Sequence, residues 1–258
     1  MSVDADLPEL PRATALAWGV AATPQRGPRR EMSIERIVEA AIDIADAEGL
    51  AGVSMSAVAA RLGFSPMSLY RYVTAKDDLL LLMLEHAAGA PPPNVRRATD
   101  WRTGLAALHD ALTDAYLRHP WVLDIPISGA PTTPNSAAWM DAGLAVLAST
   151  PLTYEERLAI VLHISGQARW YGTIYSAYAR TARLLGETEE QTTVREDALY
   201  RRLITAEEFP ALREAIDAGV FLAPDNPFVF ALQRTLDGIA AYIDRAPPYE
   251  DSAFTAKA

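Results

Sequence analysis

The sequence predicts an all-α fold in which a small helix-turn-helix unit precedes a larger helical domain. Across most of the chain, apolar residues recur at spacings of three and four, as on one face of a helix. Serine, threonine, aspartate and proline start signals and glycine stop signals bracket these stretches. No stretch has the composition and alternation expected of a strand.

Two short helices joined by a tight turn are predicted within residues 54–78. Ser54 is expected to cap the first helix by accepting a backbone N–H bond. Gly63 stands where that helix ends and where a positive φ is favoured. Ser65 is expected to cap the second helix, with Pro66 at its first position, where a missing N–H costs nothing. Such a pair suits the insertion of one helix into the major groove of DNA.

Further helices are predicted on both sides of this pair. Ser33 opens the helix before it, and Gly49 closes that helix. Thr74 and Asp77 have capping-box spacing and predict a third start, for a helix that runs to about Ala88. Later helices are expected from Asp100 to before Pro120, at 136–149, from the capping box at Thr153 to about Leu185, at 209–218 and at 226–245. Residues 120–135 are expected to be a long irregular segment, and 187–204 are ambiguous.

Composition excludes several classes of protein. The chain has 258 residues, half of them apolar, and no cysteine, which rules out a disulfide framework and thiolate metal sites. No apolar run approaches the ~18 residues of a membrane span, and the acidic N-terminus does not look like a signal peptide. The histidines are too scattered to indicate a metal site. We therefore expect a cytoplasmic protein without a cofactor, a metal or a membrane partner.

The charge distribution favours one DNA-facing surface despite a net charge of −10. Residues 26–30 together with 54–76 carry six basic side chains and no acidic one. Residues 187–258 carry 14 acidic and 7 basic side chains. Cations collected on one face would meet phosphate, and the acidic remainder would repel DNA elsewhere.

The run from Ile34 to Leu84 resembles the N-terminal DNA-binding domain of the tetracycline-repressor (TetR/AcrR) family. The similarity rests on Gly49, Val53, Ser54, Val58, Ala59, Leu62, Gly63, Leu69, Tyr70, Lys76 and Leu79. Residues 65–73 resemble the subgroup close to the tetracycline repressor itself, and residues 228–239 resemble the last helix of its C-terminal domain. The resemblance implies a DNA-binding domain at 26–78 and an effector-binding and dimerisation domain at 79–245.

Two terminal segments flank these domains. Residues 1–25 are expected to be a flexible extension, with Leu16 to Gly19 as an apolar exception that docks on the protein. Residues 246–258 are expected to be a frayed tail. The basic arm between 26 and 30 either follows DNA phosphates or enters the minor groove, or it is a solvated linker.

The DNA-contacting residues follow from helix position and from the resemblance. The N-terminal side chains of a recognition helix face base edges, and Arg71 is the strongest candidate for a guanine or phosphate contact. The resemblance implies phosphate contacts for Ser54, Tyr70, Tyr72 and Lys76, although packing under the turn is the alternative for both tyrosines. The predicted set is Arg29, Arg30, Ser54, Ser65, Pro66, Met67, Ser68, Tyr70, Arg71, Tyr72 and Lys76.

A polar and aromatic stripe on the long helix predicts an effector pocket. Few polar groups among aromatic side chains are typical of a small-molecule site, while a satisfied core histidine with packing aromatics is the alternative. The predicted set is Trp121, Trp139, Met140, His163, Gln167, Trp170, Tyr171, Tyr175 and Tyr178. Helices 153–185 and 226–245 are expected to form the homodimer interface, where Gly166, Gly172 and Gly238 allow close approach.

The sequence thus indicates a homodimeric transcriptional regulator that binds a palindromic DNA operator and is released by an unidentified small molecule. An activator of the same fold is the first alternative. An all-helical enzyme using His163 with Asp141 or Glu156 is disfavoured because no nucleophile–base pair is recognisable. A ligand-independent architectural DNA binder is the remaining class.

Overall fold

The computed structural model describes residues 10–21, 32–127, 129, 132–222 and 227–246, and these residues contain helices and no strand. The all-α prediction is therefore confirmed. Twelve α-helices are present in the described ranges: α1 Arg12–Ala17, α2 Ile34–Glu48, α3 Met55–Leu62, α4 Pro66–Leu69, α5 Lys76–Ala88, α6 Pro93–Arg96, α7 Trp101–Arg118, α8 Pro134–Val146, α9 Tyr154–Leu185, α10 Glu189–Leu203, α11 Pro210–Asp217 and α12 Pro227–Ile243. None of these helices combines the length and apolarity needed to cross a bilayer.

The helix-turn-helix is held by the predicted caps at three positions. Ser33 Oγ accepts from the Arg36 N–H at 3.3 Å at the start of α2. Ser54 Oγ accepts from the Ala57 N–H at 3.1 Å at the start of α3. Gly63 ends α3 with φ +75°, a left-handed conformation that favours glycine. The turn between α3 and α4 therefore has the geometry that the sequence predicts.

Two other predicted caps are wrong in detail. Ser65 precedes α4, but its hydroxyl lies 3.0 Å from the Ser68 hydroxyl and makes no capping bond to the backbone. α5 begins at Lys76 behind Ala75, so Thr74 lies outside the capping position. The Thr74 hydroxyl donates instead to the Asp78 carboxylate, one turn into the helix.

The N-terminal lead is helical where the structure describes it. Residues 12–17 form α1, with Ala13 and Thr14 buried, and α1 packs against α5. The Trp18 indole N–H donates to the Thr132 carbonyl at 2.8 Å. The sequence predicts a flexible lead with residues 16–19 as an exception, and in the structure residues 12–18 are a helix and turn whose apolar side chains gain a partner only in the tertiary fold.

Two apolar clusters organise the molecule. The first joins α2, α3, α4 and α5, and it includes the fully buried Leu69, Leu79 and Met83. The second joins α6 to α9 with α12, and it includes the fully buried Leu105, Leu147 and Ile164. Each cluster buries the stripe of every helix that it joins, which is the main favourable term in folding.

Polar contacts join the larger domain to the end of α5 and to α2. Glu85 accepts from the Asn135 N–H at 3.0 Å, and the Asn135 amide donates to the Glu85 carbonyl at 2.9 Å. The irregular segment predicted at 120–135 begins with a 3₁₀-helix, Pro120–Asp124. From it, Trp121 Nε1 donates to Asp46 of α2 at 2.7 Å, and His119 Nδ1 lies 2.9 Å from the same carboxylate. A movement of α8 or of this segment therefore reaches the helix-turn-helix directly.

Glycine allows the closest approach between α7 and α9. A Cβ built on Gly172 would lie 2.8 Å from the Tyr116 Cβ of the same chain, whereas one built on Gly166 or Gly238 meets nothing within 4 Å. Gly172 therefore serves the packing of its own subunit, contrary to its predicted place in a dimer interface. Gly166 and Gly238 stay open on the surface.

We expect Gly172→Ala to lower the free energy of unfolding by about 1–3 kcal/mol, because the new methyl group forces the two helices apart. Arg202→Ala is the control, since Arg202 is exposed on α10 and its replacement changes no packing contact and little helix propensity. Urea unfolding followed by circular dichroism measures both variants. Equal stability of the two variants would show that the contact with Tyr116 is unimportant.

Candidate nucleic-acid interface and effector cleft

α3 and α4 present one outer face because their inner faces are fixed in the first cluster. Val58, Ala59, Leu69 and Val73 are fully buried and hold the two helices against α2 and α5. On the other side, Met67 is 75% exposed and Tyr70 is 45% exposed. Such exposure of large apolar side chains at the tip of a helix is expected for a surface that meets a partner.

The described part of the predicted DNA-contacting set is largely exposed in and around α3 and α4. Ser54, Ser65, Pro66, Met67, Tyr70, Arg71 and Lys76 are exposed, and Ser68 and Tyr72 are half-buried. Tyr72 also packs against the first cluster, as the packing alternative predicted. Arg29 and Arg30 lie outside the described residues. Ser54 Oγ accepts the Ala57 N–H in the helix cap, and its O–H group stays available to donate to a phosphate oxygen.

Fewer cations are free on this face than the sequence pattern indicates. Arg61 donates to Asp43 of α2 at 2.9 Å, so an acidic side chain does reach this region. Helical periodicity along one element could not reveal that pairing between α2 and α3. Within the described ranges, Arg71 and Lys76 make no ion pair, and these two cations remain for phosphate or guanine.

The predicted effector residues do not form one pocket. His163 and Trp170 are exposed on α9, Trp170 by 59%, while Tyr171 of the same stripe is buried. Trp121 is buried in the first cluster, and Met140 packs against the second. The stripe spans too wide an arc of α9 for all its members to face one side.

Three of the predicted effector residues lie buried or half-buried between α9 and its neighbours: Gln167, Tyr171 and Tyr175. Tyr178 is half-buried and bonds instead to Glu196 of α10. The Tyr171 hydroxyl donates to the Phe228 carbonyl, and its ring lies 4.9 Å from that of His109 in an edge-to-face arrangement. Burial raises the pKa of the Tyr171 hydroxyl, which keeps this phenol neutral. His109 Nε2 and Gln167 Oε1 are buried without a partner in the described residues. Sequence reasoning missed His109, because its packing against Tyr171 joins α7 to α9 and leaves no signal in the local sequence.

A cleft of about 640 Å³ opens on the other side of α7. Its walls come from the end of α5, the following segment, α7 and α8, and Trp139 is the one predicted effector residue that lines it. The lining residues are Ala88, Ala90, Pro92, Asn94, Thr103, Ala106, Ala107, Asp110, Ala111, Asp114, Ala115, Arg118 and Trp139. Ligand pockets of proteins typically have volumes of about 300–1,000 Å³, so this cleft has room for a small molecule. The alanine-rich face of α7 is the sequence feature that could have indicated it, and the prediction did not use that feature.

Neither region resembles a metal centre. In the parts of the chain that the structure describes, no three histidine, cysteine, aspartate or glutamate side chains come together.

Large apolar side chains remain exposed on α9 and α12. On α9 these are Leu158, Leu162 and Trp170, exposed by 39%, 53% and 59%. On α12 they are Val229, Phe230 and Tyr242, exposed by 56%, 65% and 51%. The two helices are joined by a hydrogen bond from the Tyr242 hydroxyl to Glu156, which lowers the pKa of that carboxyl. This bond places the start of α9 next to the end of α12.

Comparison with known proteins agrees with this architecture. Residues 37–83 match the family model for bacterial regulatory proteins of the tetR family, and residues 93–243 match the tetracyclin repressor-like C-terminal domain. The HTH-type transcriptional repressor DrrR1 of Streptomyces coeruleorubidus is 34% identical over 248 residues, covering 91% of this chain and 87% of that protein.

Solved structures extend the comparison to three dimensions. Apo ActR from Streptomyces coelicolor superposes with a TM-score of 0.69 at 23% identity, covering 85% of this chain and all of that chain. ActR in complex with actinorhodin superposes with a TM-score of 0.67 at 25% identity, covering 84% and 99%. The chain belongs to the TetR family and is a DNA-binding transcriptional regulator, not an enzyme.

Proposed function

We propose that this protein is a homodimeric repressor that binds a palindromic operator in the cytoplasm and leaves it when a small molecule binds. The observation that supports it most is the exposed surface that runs from α4 to the start of α5, where Arg71 and Lys76 remain without an ion pair in the described residues. The relative DrrR1 is named a transcriptional repressor, which favours repression over activation.

Few side chains on this face can form hydrogen bonds with the edges of bases. Pro66 and Met67 offer only apolar contact, as with a thymine methyl, and Ser68 shares its hydroxyl with Ser65 at 3.0 Å. Arg71 is then the main candidate for a bidentate guanine contact. We infer that DNA shape supplies part of the specificity, with Arg29 and Arg30 of the basic arm as further proposed contacts.

The exposed apolar faces of α9 and α12 support the dimer. A monomer rarely leaves a contiguous apolar face of this kind in water. Gly166 on α9 and Gly238 on α12 have open space above them, which lets the partner's helices approach closely. A two-fold axis at this face would place two recognition helices on successive major grooves, about 34 Å apart.

The effector part of the proposal rests on the cleft beside α5. Trp139 lines the cleft, and its indole N–H donates to the carbonyls of Ala88 and Gly89 at the end of α5, at 3.2 and 3.0 Å. A ligand that displaces Trp139 would move the helix that starts behind α4. ActR was solved with actinorhodin, so a structural neighbour does bind a small molecule. We retain Gln167, Tyr171, Tyr175 and Tyr178 as a second ligand-contacting group because, among the described residues, the buried His109 Nε2 and Gln167 Oε1 have no hydrogen-bond partner.

Selection from random duplexes followed by footprinting tests the DNA part. We expect an inverted repeat with half-site centres about one helical turn apart, protected by a particle of about twice the 28.0 kDa subunit mass. Light scattering coupled to gel filtration gives that mass. A subunit that stays monomeric, or selected duplexes without symmetry, would refute the proposal.

A further inference from the structure

The lining of the cleft beside α7 combines an apolar strip with charged side chains. The lining is about equally polar and apolar, and the small apolar side chains of α7 form one continuous strip of it: Ala106, Ala107, Ala111 and Ala115. Trp139 adds only carbon surface, since its indole N–H is already bonded to the end of α5. An apolar strip of this size favours a ligand with an apolar or aromatic body, because such a body releases ordered water.

Two carboxylates stand on the same wall. Asp110 and Asp114 are four residues apart on α7 and therefore lie on one face, one turn from each other. Asp114 makes no ion pair or hydrogen bond in the described ranges of the chain, and Asp110 contacts only the ring of His109, at 3.0 Å. Arg118 lines the cleft one turn beyond Asp114 and makes no ion pair with it. The cleft wall therefore carries more negative than positive charge.

We propose that this cleft binds a small organic cation, such as a protonated amine, attached to an apolar or aromatic body. The cationic group lies between Asp110 and Asp114, and the apolar body covers the alanine strip and the ring of Trp139. The identity of this ligand class deepens the proposed function, because the cleft is also the proposed effector site. Attraction to two carboxylates in a partly enclosed cleft is stronger than at an open surface.

A matched pair of probes tests the sign of the charge. Tetraphenylphosphonium and tetraphenylborate have the same shape and opposite charges, and neither is an intercalator. In calorimetric titration of the DNA-free protein, we expect the phosphonium to bind once per subunit and the borate to bind at least about tenfold more weakly. Equal binding of both ions, or no binding of the phosphonium, would overturn the proposal.

Variants locate the bound cation. The double variant Asp110→Asn with Asp114→Asn is expected to weaken phosphonium binding on the order of tenfold. Ala111→Leu, which places a larger side chain in the alanine strip, is expected to remove binding. Glu190→Gln on the exposed face of α10 changes one charge away from the cleft and should leave binding unchanged. Phosphonium binding that survives both cleft changes lies elsewhere and contradicts the proposal, provided that thermal melts show all the variants to be folded.

The titration is independent of DNA, so it separates this inference from the proposed function. If the phosphonium binds as described and selected operator DNA stays bound, the ligand class stands and release by this cleft is refuted. If the phosphonium does not bind while a symmetric operator is found, the DNA-binding proposal stands and the ligand class is wrong.

Discussion

Replacing Arg71 by alanine is expected to abolish operator footprinting at low protein concentrations while leaving thermal unfolding nearly unchanged. The side chain is exposed and makes no ion pair in the described residues, so its loss removes no packing. A good bidentate base contact contributes about 1–3 kcal/mol of discrimination, and a dimer makes it twice. The expected loss is therefore roughly 30-fold or more in affinity.

Arg202→Ala provides the matched control for this experiment. Arg202 is exposed on α10, so its replacement changes the net charge equally at a place remote from α4. Footprinting should be unchanged in the control, and the circular dichroism melts of both variants should follow that of the unaltered protein. Intact operator binding by the Arg71→Ala protein would remove this residue from the interface.

The double variant Leu162→Glu with Phe230→Glu is expected to give a stable monomer that has lost operator binding. Both side chains are more than half exposed in the single subunit, so glutamate can be accommodated in the free chain. In the proposed dimer the same change would place four carboxylates in an apolar contact, and unpaired buried charge is strongly unfavourable. Separating two linked half-site contacts lowers the avidity by about 100-fold or more.

Ile127→Glu is the control for the dimer variant. Ile127 is 76% exposed in the segment before α8 and lies on neither α9 nor α12. Light scattering should show two subunits per particle in the control and one in the double variant. A double variant that remains dimeric would exclude this face as the interface, and a monomer that still binds the palindrome tightly would exclude the need for a dimer.

Local signals were sufficient where a helix end depends on its own residues. Ser33, Ser54, Asp100 and Thr153 each accept the backbone N–H expected of an N-cap. The stretch at 187–204, which the sequence leaves ambiguous, is helix α10. Its start is fixed by a capping box at Thr188 and Gln191 that the sequence analysis did not identify. These bonds join residues three apart, so the chain neighbourhood determines them.

Local sequence signals did not predict the contacts between segments that are distant in the chain. Arg61 pairs with Asp43 across 18 residues, and Trp121 joins the first cluster through Asp46, 75 residues earlier. α1 also becomes a helix because α5 offers it an apolar partner. Each of these arrangements gains its free energy from a partner that is remote in sequence.

The proposed effector site shows most clearly what helical periodicity in the sequence does not predict. The polar and aromatic residues of α9 follow helical spacing, but the helix is packed on one side, so Trp170 faces out and Tyr171 faces in. The cleft formed on α7 instead, where Trp139 of α8 and Ala88 of α5 close over an alanine strip. A cavity is bounded by several elements, and its position depends on how they pack.

By itself, the sequence determined the all-α class, the family, most helix ends and the turn that exposes α4, because side-chain period and caps act within one or two turns of a helix. Only the tertiary structure decided which cations stay unpaired, which side of α9 is buried and where a small molecule has room. Those properties depend on distances between elements that are set by close packing of the whole chain.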